Sequence, residues 1–225
     1  MPMSLSVDGM RRRQRVPEAT IKRLPVYLRL LERLQDEEVT IVSSAELARL
    51  SGITSEQIRK DLAYFGAFGT RGVGYGVSSL ARRLRSILGL DRPIGAVLVG
   101  AGHLGTALAR YNRTRRHSVQ VVAIFDKDPQ KVGQPIEDLV VQPLEELEET
   151  IARTGACLAI LAVPGSAAQE MAQRLVRAGI EGILNFSPVQ LKVPTGVQVH
   201  QIDLSLELES LAYYAGQGRH HAEEG

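Results

Sequence analysis

Apolar residues recur along the chain at two different spacings, and the change of spacing divides the chain in two. In residues 17–90 they lie mostly three and four positions apart, which predicts a helical domain. In residues 91–200 short apolar runs alternate with amphipathic stretches, which predicts strands that alternate with helices. Residues 1–16 are polar, rich in arginine and without a period, so we expect a disordered basic arm.

The first domain begins with an amphipathic stretch over residues 20–37, in which leucines and a tyrosine fall at helical spacing. A proline stands in the first part of this stretch, and proline is common at the first position of a helix. The helix therefore begins either near Thr20 or at Pro25, in which case Arg23 and Leu24 lie just outside it.

Two capped helices and a glycine-rich hairpin complete a winged helix-turn-helix. Ser43 and Thr54 each stand three positions before a Glu or Gln, which is the pattern of a capping box, and Gly52 ends the first of the two helices. Residues 66–77 hold five glycines among β-prone residues, which predicts a hairpin, or wing, with Arg71 at its tip. A short helix, a tight turn and a second capped helix are typical of DNA-binding domains.

The second capped helix carries donors suited to the major groove of DNA. Arg and Lys donate to guanine there and Gln pairs with adenine, while basic residues elsewhere hold phosphates. The alternative is a set of solvated polar residues on a small helical domain, and an aromatic residue at Tyr64 is more typical of a core. We assign DNA contacts to Lys22, Arg23, Ser55, Gln57, Arg59, Lys60, Tyr64 and Arg71.

Charge follows the same division of the chain. Residues 1–92 carry 16 Lys and Arg against 10 Asp and Glu, whereas residues 93–225 carry 11 against 15. A basic module joined to an acidic remainder favours a polyanionic partner, although a solvated basic face would give the same counts. Because there is one cysteine, Cys157, no apolar run of about 18 residues and no secretory signal, we expect a cytoplasmic protein without a disulfide framework, membrane span or Cys-rich metal centre.

The alternation of strands and helices in the second domain predicts a doubly wound parallel sheet of the Rossmann type, which is an α/β fold. Gly100-Ala101-Gly102-His103-Leu104-Gly105 reads G-x-G-x-x-G, follows an apolar strand and opens a helix, which is the context of a dinucleotide-binding loop. The strands are predicted at residues 94–99, 119–126, 156–163 and 182–186, and the helices between them at residues 104–113, 144–154 and 167–178.

Each glycine of the loop has a separate task in this interpretation. Gly100 permits the tight turn, Gly102 lets the backbone approach a pyrophosphate, and Gly105 lets the helix pack close to the strand. Asp126 ends the second strand 21 residues after Gly105, where a carboxylate accepts from an adenosine ribose and repels a 2′-phosphate. The pattern favours NAD(H) over NADP(H), although Lys127 stands beside the aspartate; a glycine turn with an ordinary Asp at the strand end is the alternative.

No catalytic constellation accompanies the loop. About 120 residues follow Gly105 and the sheet uses most of them, which leaves no room for a separate catalytic domain. His103 lies in the loop itself, and His200, just before the last helix, is the other candidate acid or base. Since neither a nucleophile–base pair nor a metal-ligand set stands out, we expect a protein that binds a dinucleotide without turning it over.

Four stretches of the sequence resemble the Rex family of redox-sensing transcriptional repressors. In the first domain they are SEQIRKDLAYFG at residues 55–66 and GTRGVGY at residues 69–75. In the second they are the glycine loop and ILNFSP at residues 183–188. The resemblance covers about residues 17–215, and it is specific because two unrelated modules match in the same order.

The resemblance implies a homodimeric repressor whose winged helices bind an inverted-repeat operator. In this family NADH binding releases the DNA, whereas NAD+ permits binding. The helix over residues 201–217, followed by a tail over residues 218–225, is implied to be exchanged between the subunits, although a helix docked within its own chain is the alternative. Its apolar stripe is Leu204, Leu208, Leu211 and Ala215.

The resemblance also implies site residues. Some members couple a charged residue of the loop, a tyrosine of the next helix and an aspartate at the head of the exchanged helix; the matching residues are His103, Tyr111 and Asp203, and His103 stands where certain members have Arg. The residues implied to hold NAD(H) are Gly100, Ala101, Gly102, His103, Leu104, Gly105, Asp126, Lys127, Val163, Pro164, Asn185, Phe186 and Ser187.

Two other functions stay open at this point. One is a small NAD-dependent oxidoreductase with an appended basic domain, in which Asn185 or His200 would serve in catalysis. The other is a CoA- or nucleotide-binding regulatory subunit, because a similar fold with a glycine loop serves CoA ligases. Asp126 and the helix-turn-helix argue against the second of these.

Overall fold

The computed structural model describes residues 16–66, 68–70, 72–114 and 118–223. Their helices and strands divide between two compact units, one that ends at Asp91 and one that begins at Arg92. A winged helix-turn-helix forms the first unit and a Rossmann-like sheet the second, so both parts of the predicted architecture are confirmed. The predicted disordered arm lies outside the described residues except for Val16, and Arg71 lies outside them too.

Within its described residues, the first unit has four helices and a small three-stranded sheet. The sheet has the order β1-β3-β2 and both strand pairs are antiparallel, so β2 and β3 form the predicted wing. The elements in chain order are α1 (Glu18–Asp36), β1 (Ile41–Val42), α2 (Ser44–Ser51), α3 (Ser55–Ala63), β2 (Gly69–Thr70), β3 (Gly74–Gly76) and α4 (Val77–Ile87).

Both predicted N-caps are present in the helix-turn-helix. The Ser43 Oγ accepts a hydrogen bond from the backbone N–H of Glu46 at 3.0 Å, and the Thr54 Oγ1 accepts from that of Gln57 at 3.2 Å. The side chains of Glu46 and Gln57 bond farther along their own helices, so each capping box is formed in its first half. Gly52 ends α2 with a left-handed φ of 71°, as predicted.

The first helix begins well before Pro25, so the alternative start at the proline is wrong. Pro17 caps α1, and its carbonyl oxygen accepts from the backbone N–H groups of Thr20 and Ile21. An interior proline removes one helical hydrogen bond. Burial of the apolar stripe offsets that loss, since five of its members are buried: Leu24, Tyr27, Leu28, Leu31 and Leu34.

The second unit holds more strands than the sequence predicts, because Pro135–Ile136, Leu139–Pro143 and Gln198–Gln201 also form strands. Its last helix also continues through residues 204–223 and includes most of the predicted tail. The elements are β4 (Ile94–Val99), α5 (His103–Thr114), β5 (Val119–Asp126), β6 (Pro135–Ile136), β7 (Leu139–Pro143), a 3₁₀ turn (Leu144–Glu146), α6 (Leu147–Thr154), β8 (Leu158–Leu161), α7 (Gly165–Arg177), β9 (Gly182–Asn185), β10 (Gln198–Gln201) and α8 (Leu204–Glu223).

The sheet of the second unit is wound outward from its central strand in both directions. Its order is β10-β9-β8-β4-β5-β7-β6, and every pair is parallel except β6 with β7. Successive side chains of β4 face opposite layers: Val97 and Val99 pack in the same cluster as Leu147 of α6, and Leu98 packs in the cluster of Ala109 of α5. Helices thus cover both faces, as a doubly wound sheet requires.

Candidate functional site

The sheet order fixes where a ligand can bind the second unit. The strand that follows β4 along the chain, β5, is its neighbour on one side in the sheet, and β8 is its neighbour on the other side. In such sheets a ligand usually binds in the crevice outside the carboxyl ends of these strands. A cavity of about 760 Å³ opens at this place. The predicted cofactor residues that line it are Gly100, Gly102, His103, Leu104, Gly105, Asp126, Lys127, Val163 and Pro164.

The three glycines of the loop are required for different physical reasons. Gly100 has a left-handed φ of 103°, and a Cβ there would collide with the carbonyl oxygen of Ala162. A Cβ at Gly105 would collide with the carbonyl oxygen of Gly100. A Cβ at Gly102 would meet no protein atom within 4 Å. Gly100 and Gly105 therefore serve the fold, whereas Gly102 leaves open space beside the cavity.

Asp126 anchors the glycine loop from the end of β5. Its Oδ2 accepts from the backbone N–H of Ala101 at 2.7 Å and from the Nζ of Lys131 at 3.2 Å, and its Oδ1 accepts from the N–H of Asp128 at 2.9 Å. Burial by itself raises the pKa of Asp126, but these three hydrogen bonds outweigh it and lower the pKa. A carboxylate has about four acceptor positions, so one remains for a ribose hydroxyl.

These features fit a dinucleotide such as NAD(H). The free N–H groups of the first turn of α5, which begins at His103, offer partial positive charge to phosphates. Gly102 leaves the backbone open on the same side. Leu144, Ala167 and Met171 add apolar lining against which flat rings can pack.

Sequence reasoning missed Lys131, which both lines the cavity and pairs with Asp126. It lies in the turn that follows β5, five residues after Asp126. A basic residue at that distance from a strand-end carboxylate was the signal available in the sequence.

Four residues assigned to the cofactor do not line this cavity: Ala101, Asn185, Phe186 and Ser187. The amide of Asn185 is buried and donates to the carbonyl oxygen of Val189 at 2.8 Å and to the side chain of Gln201 at 2.7 Å. The buried Ser187 hydroxyl donates to the carbonyl oxygen of Val163 at 2.7 Å. Ser187 therefore reaches the cavity only through Val163, which lines it, and direct contact of these residues with a cofactor stays a prediction.

The residues of the predicted sensing network lie on two elements. His103 begins α5 and lines the cavity, while Tyr111 lies two turns farther along α5 with 53% of its surface exposed. Asp203 precedes α8, and its Oδ1 accepts from the backbone N–H of Ser205 at 2.9 Å, so it caps that helix. His200, the other candidate acid or base, is exposed on β10 and does not line the cavity.

The recognition helix α3 presents part of the predicted DNA-binding set. Arg59 and Lys60 are exposed, while Ser55 and Tyr64 are half-buried. The Nη1 of Arg59 donates to the Oγ of Ser44 at 3.0 Å, which ties α3 to the start of α2. A groove of about 530 Å³ runs between α3 and the wing, and Arg59, Phe68, Thr70 and Tyr75 are among its lining residues.

The remaining predicted contacts lie on α1 and on the inner side of α3. Lys22 is exposed and forms an ion pair with Glu18 at 2.7 Å. Arg23 and Gln57 instead direct donors onto the buried carboxylate of Asp61, whose role sequence reasoning missed. As direct DNA contacts, both residues stay predictions.

Neither a membrane span nor a metal centre is found in the part of the chain that the structure describes. There, even the 20-residue helix α8 lacks the sustained apolar length needed to cross a bilayer. Among the same residues, no three His, Cys, Asp or Glu side chains lie together as ligands of a metal would.

Comparison with known proteins matches both units. Residues 15–63 match the family model "Putative DNA-binding protein N-terminus", and residues 91–189 match "CoA binding domain". The redox-sensing transcriptional repressor Rex of Natranaerobius thermophilus is 46% identical over 92% of this chain and 94% of its own length. The chain belongs to the Rex family. Rex of Pelotomaculum thermopropionicum is 49% identical over 88% of this chain and 93% of its own length.

Solved structures of a Rex-family repressor, RSP, have the same fold. RSP in complex with β-NAD+ and operator DNA superposes with a TM-score of 0.84 at 40% identity, covering 93% of this chain and 97% of that chain. RSP in complex with β-NADH gives a TM-score of 0.81 at 39% identity, covering 94% and 100%. The resemblance noted in the sequence is confirmed, and because Rex proteins are transcriptional repressors, this chain is a repressor and not an enzyme.

Proposed function

We propose that this chain represses transcription by binding operator DNA while NAD+ occupies its cavity and by leaving the DNA when NADH takes that place. The proposal rests on one observation: this member of a redox-sensing repressor family contains both a winged helix-turn-helix and a cavity at a glycine loop. A repressor acts where its operator lies, so we place the protein in the cytoplasm.

The two cofactors differ in charge at the nicotinamide ring, and polar side chains that line the cavity could respond to that difference. NAD+ carries a positive nicotinamide ring and NADH a neutral one, so a charged neighbour interacts differently with each. His103 lines the cavity, and we assign sensing to it together with Tyr111 and Asp203. A ligand shifts an equilibrium between two arrangements of a protein only by its differential affinity for them.

The last helix supports a homodimer as the working form. Its exposed apolar side chains are each 58–67% accessible and lie on opposite faces of the helix, and a helix that is apolar on more than one face is normally buried. Exchange of α8 between two copies would bury them. A twofold dimer would also place two recognition helices about 34–36 Å apart, which is the spacing that an inverted repeat requires. The side chains are Leu204, Leu206, Leu208, Leu211 and Tyr213.

Binding of a labelled DNA duplex tests this function. The duplex is selected from a random pool by the protein in the presence of NAD+, and its dissociation constant is measured by fluorescence anisotropy with NAD+, NADH and CoA in parallel. We expect the affinity with NADH to be at least about tenfold weaker than with NAD+, a difference of about 1.4 kcal/mol.

CoA is included because residues 91–189 match a CoA-binding model. We expect CoA to leave DNA affinity unchanged. A response to CoA alone would favour a CoA-dependent regulator, and equal affinities with NAD+ and NADH would contradict the proposal.

A further inference from the structure

Asp61 is a buried carboxylate at the centre of the helix-turn-helix, and its side chain is 0% exposed. Four side chains donate five hydrogen bonds to it. Thr20 Oγ1 donates at 2.9 Å, Arg23 at 2.6 Å from Nε and 2.8 Å from Nη2, Tyr27 OH at 2.7 Å, and Gln57 Nε2 at 2.8 Å. Three of these four side chains belong to α1, so the carboxylate joins α1 to the recognition helix α3.

The carboxyl group of Asp61 is ionised at neutral pH. Burial by itself raises the pKa of Asp61, but the hydrogen bonds from Arg23, Tyr27, Gln57 and Thr20 outweigh it and hold the pKa at about 2. The planar guanidinium of Arg23 binds both carboxylate oxygens, a geometry that fixes direction as well as distance. These directional bonds therefore constrain the relative orientation of α1 and α3 in addition to the apolar packing between them.

Stability alone does not explain a buried ionic cluster, because apolar side chains of similar volume often stabilise a fold as well as such a cluster or better. What directional bonds add is a single orientation. Orientation matters on α3, because Arg59 and Lys60 are exposed on it and would have to meet base edges or phosphates within hydrogen-bond distance.

From this geometry we infer that Asp61 is the positioning residue of the recognition helix, and that Arg23 and Gln57 serve operator binding through Asp61 and not by contacting DNA. The inference rests on the proposed DNA-binding function. It replaces two predicted DNA contacts by an internal cluster whose members hold the contacting side chains in place.

Salt dependence distinguishes a positioning residue from a phosphate contact. Loss of one phosphate contact weakens binding to all DNA sequences alike and reduces the slope of log K against log salt by about 0.9. Loss of positioning weakens the selected operator, whose binding needs exact base contacts, and leaves both the slope and the affinity for an unrelated duplex nearly unchanged.

The first test compares Arg23→Gln with Arg33→Gln, the same substitution on the same helix. Arg33 is exposed and pairs only with solvent-facing Glu37 among the contacts described for it. We expect Arg23→Gln to lower operator affinity by about tenfold or more, to leave the unrelated duplex within about twofold and to keep the salt slope. Arg33→Gln is expected to change neither the two affinities nor the salt slope. Lys60→Ala is measured alongside as the reference for losing an exposed cation of α3.

The second test uses Tyr27→Phe. It keeps the inference testable if circular dichroism shows that the Arg23→Gln protein is not folded. Tyr27 is 1% exposed and cannot touch DNA, yet its hydroxyl bonds Asp61. We expect an operator-specific loss of about three- to tenfold, because the variant loosens the orientation of α3 while the two Arg23 bonds to Asp61 remain.

Two results would overturn the inference: an equal loss on both duplexes with a lower salt slope in Arg23→Gln, or unchanged operator affinity in Tyr27→Phe. Failure of the unsubstituted protein to bind any selected duplex would instead contradict the proposed function.

Discussion

Replacement of Gly102 by alanine separates ligand binding from folding. A Cβ at this position meets no protein atom within 4 Å, and its φ lies outside the left-handed region. We therefore expect the free energy of unfolding to change by less than about 1 kcal/mol. The methyl group would stand where the backbone is open to a pyrophosphate, and overpacking of this kind costs about 1–3 kcal/mol. The Kd for NADH should rise about 5- to 150-fold.

Titration of NADH fluorescence measures this Kd, and thermal unfolding by circular dichroism measures stability. Gly105→Ala is the matched control, because its Cβ would collide with the carbonyl oxygen of Gly100 and lie 3.2 Å from a methyl group of Leu98. That variant should destabilise the second unit by about 3 kcal/mol. A Gly102→Ala protein that binds NADH as tightly as the unsubstituted chain would show that the pyrophosphate does not approach the backbone at Gly102.

Three further predictions concern other parts of the chain. Asp126→Asn removes the charge that holds the N–H of Ala101, so calorimetry should show NADH binding about tenfold weaker; NADH binding as tight as that of the unsubstituted chain would argue against this role of Asp126. The pKa of Asp61 is lowered from 3.8 to about 2 in the folded protein. The ionised carboxylate therefore adds about 2 kcal/mol to the free energy of unfolding above about pH 4, and this contribution is lost as the pH falls toward 2. Urea unfolding of the first unit at a series of pH values checks this, and a flat profile would contradict it. Leu208→Asp places a charge among the exposed apolar side chains of α8 and should dissociate the dimer in analytical ultracentrifugation; an unsubstituted chain that sediments as a monomer would exclude the dimer.

Features that depend on neighbouring residues were predictable from the sequence. Ser43 and Thr54 cap their helices because a short hydroxyl can reach an N–H three positions on. The loop at Gly100 was predictable because a tight turn between this strand and helix leaves no room for a side chain at Gly100. The wing followed from its glycines in the same way.

Features that depend on distant residues were not predictable in the same way. β10 carries mostly polar residues at an edge of the sheet, and the apolar run of β7 stops after Leu139, Val140 and Val141, so neither strand shows the longer apolar run of a buried strand. The partners of Asp61 on α1 lie 34 to 41 positions away in the sequence. One signal was available: Asp61 stands between Ile58 and Leu62 on the apolar stripe of α3, where a charge needs a partner.

A titration at a fixed total concentration of cofactor tests directly whether the ratio of NADH to NAD+ controls DNA binding. The protein is bound to its selected duplex with NAD+, and NADH replaces NAD+ step by step while anisotropy reports the DNA that remains bound. We expect the duplex to be released as the NADH fraction rises and to bind again when NAD+ is returned in excess. A duplex that stays bound at every ratio, although NADH fluorescence shows that the cavity is filled, would contradict it.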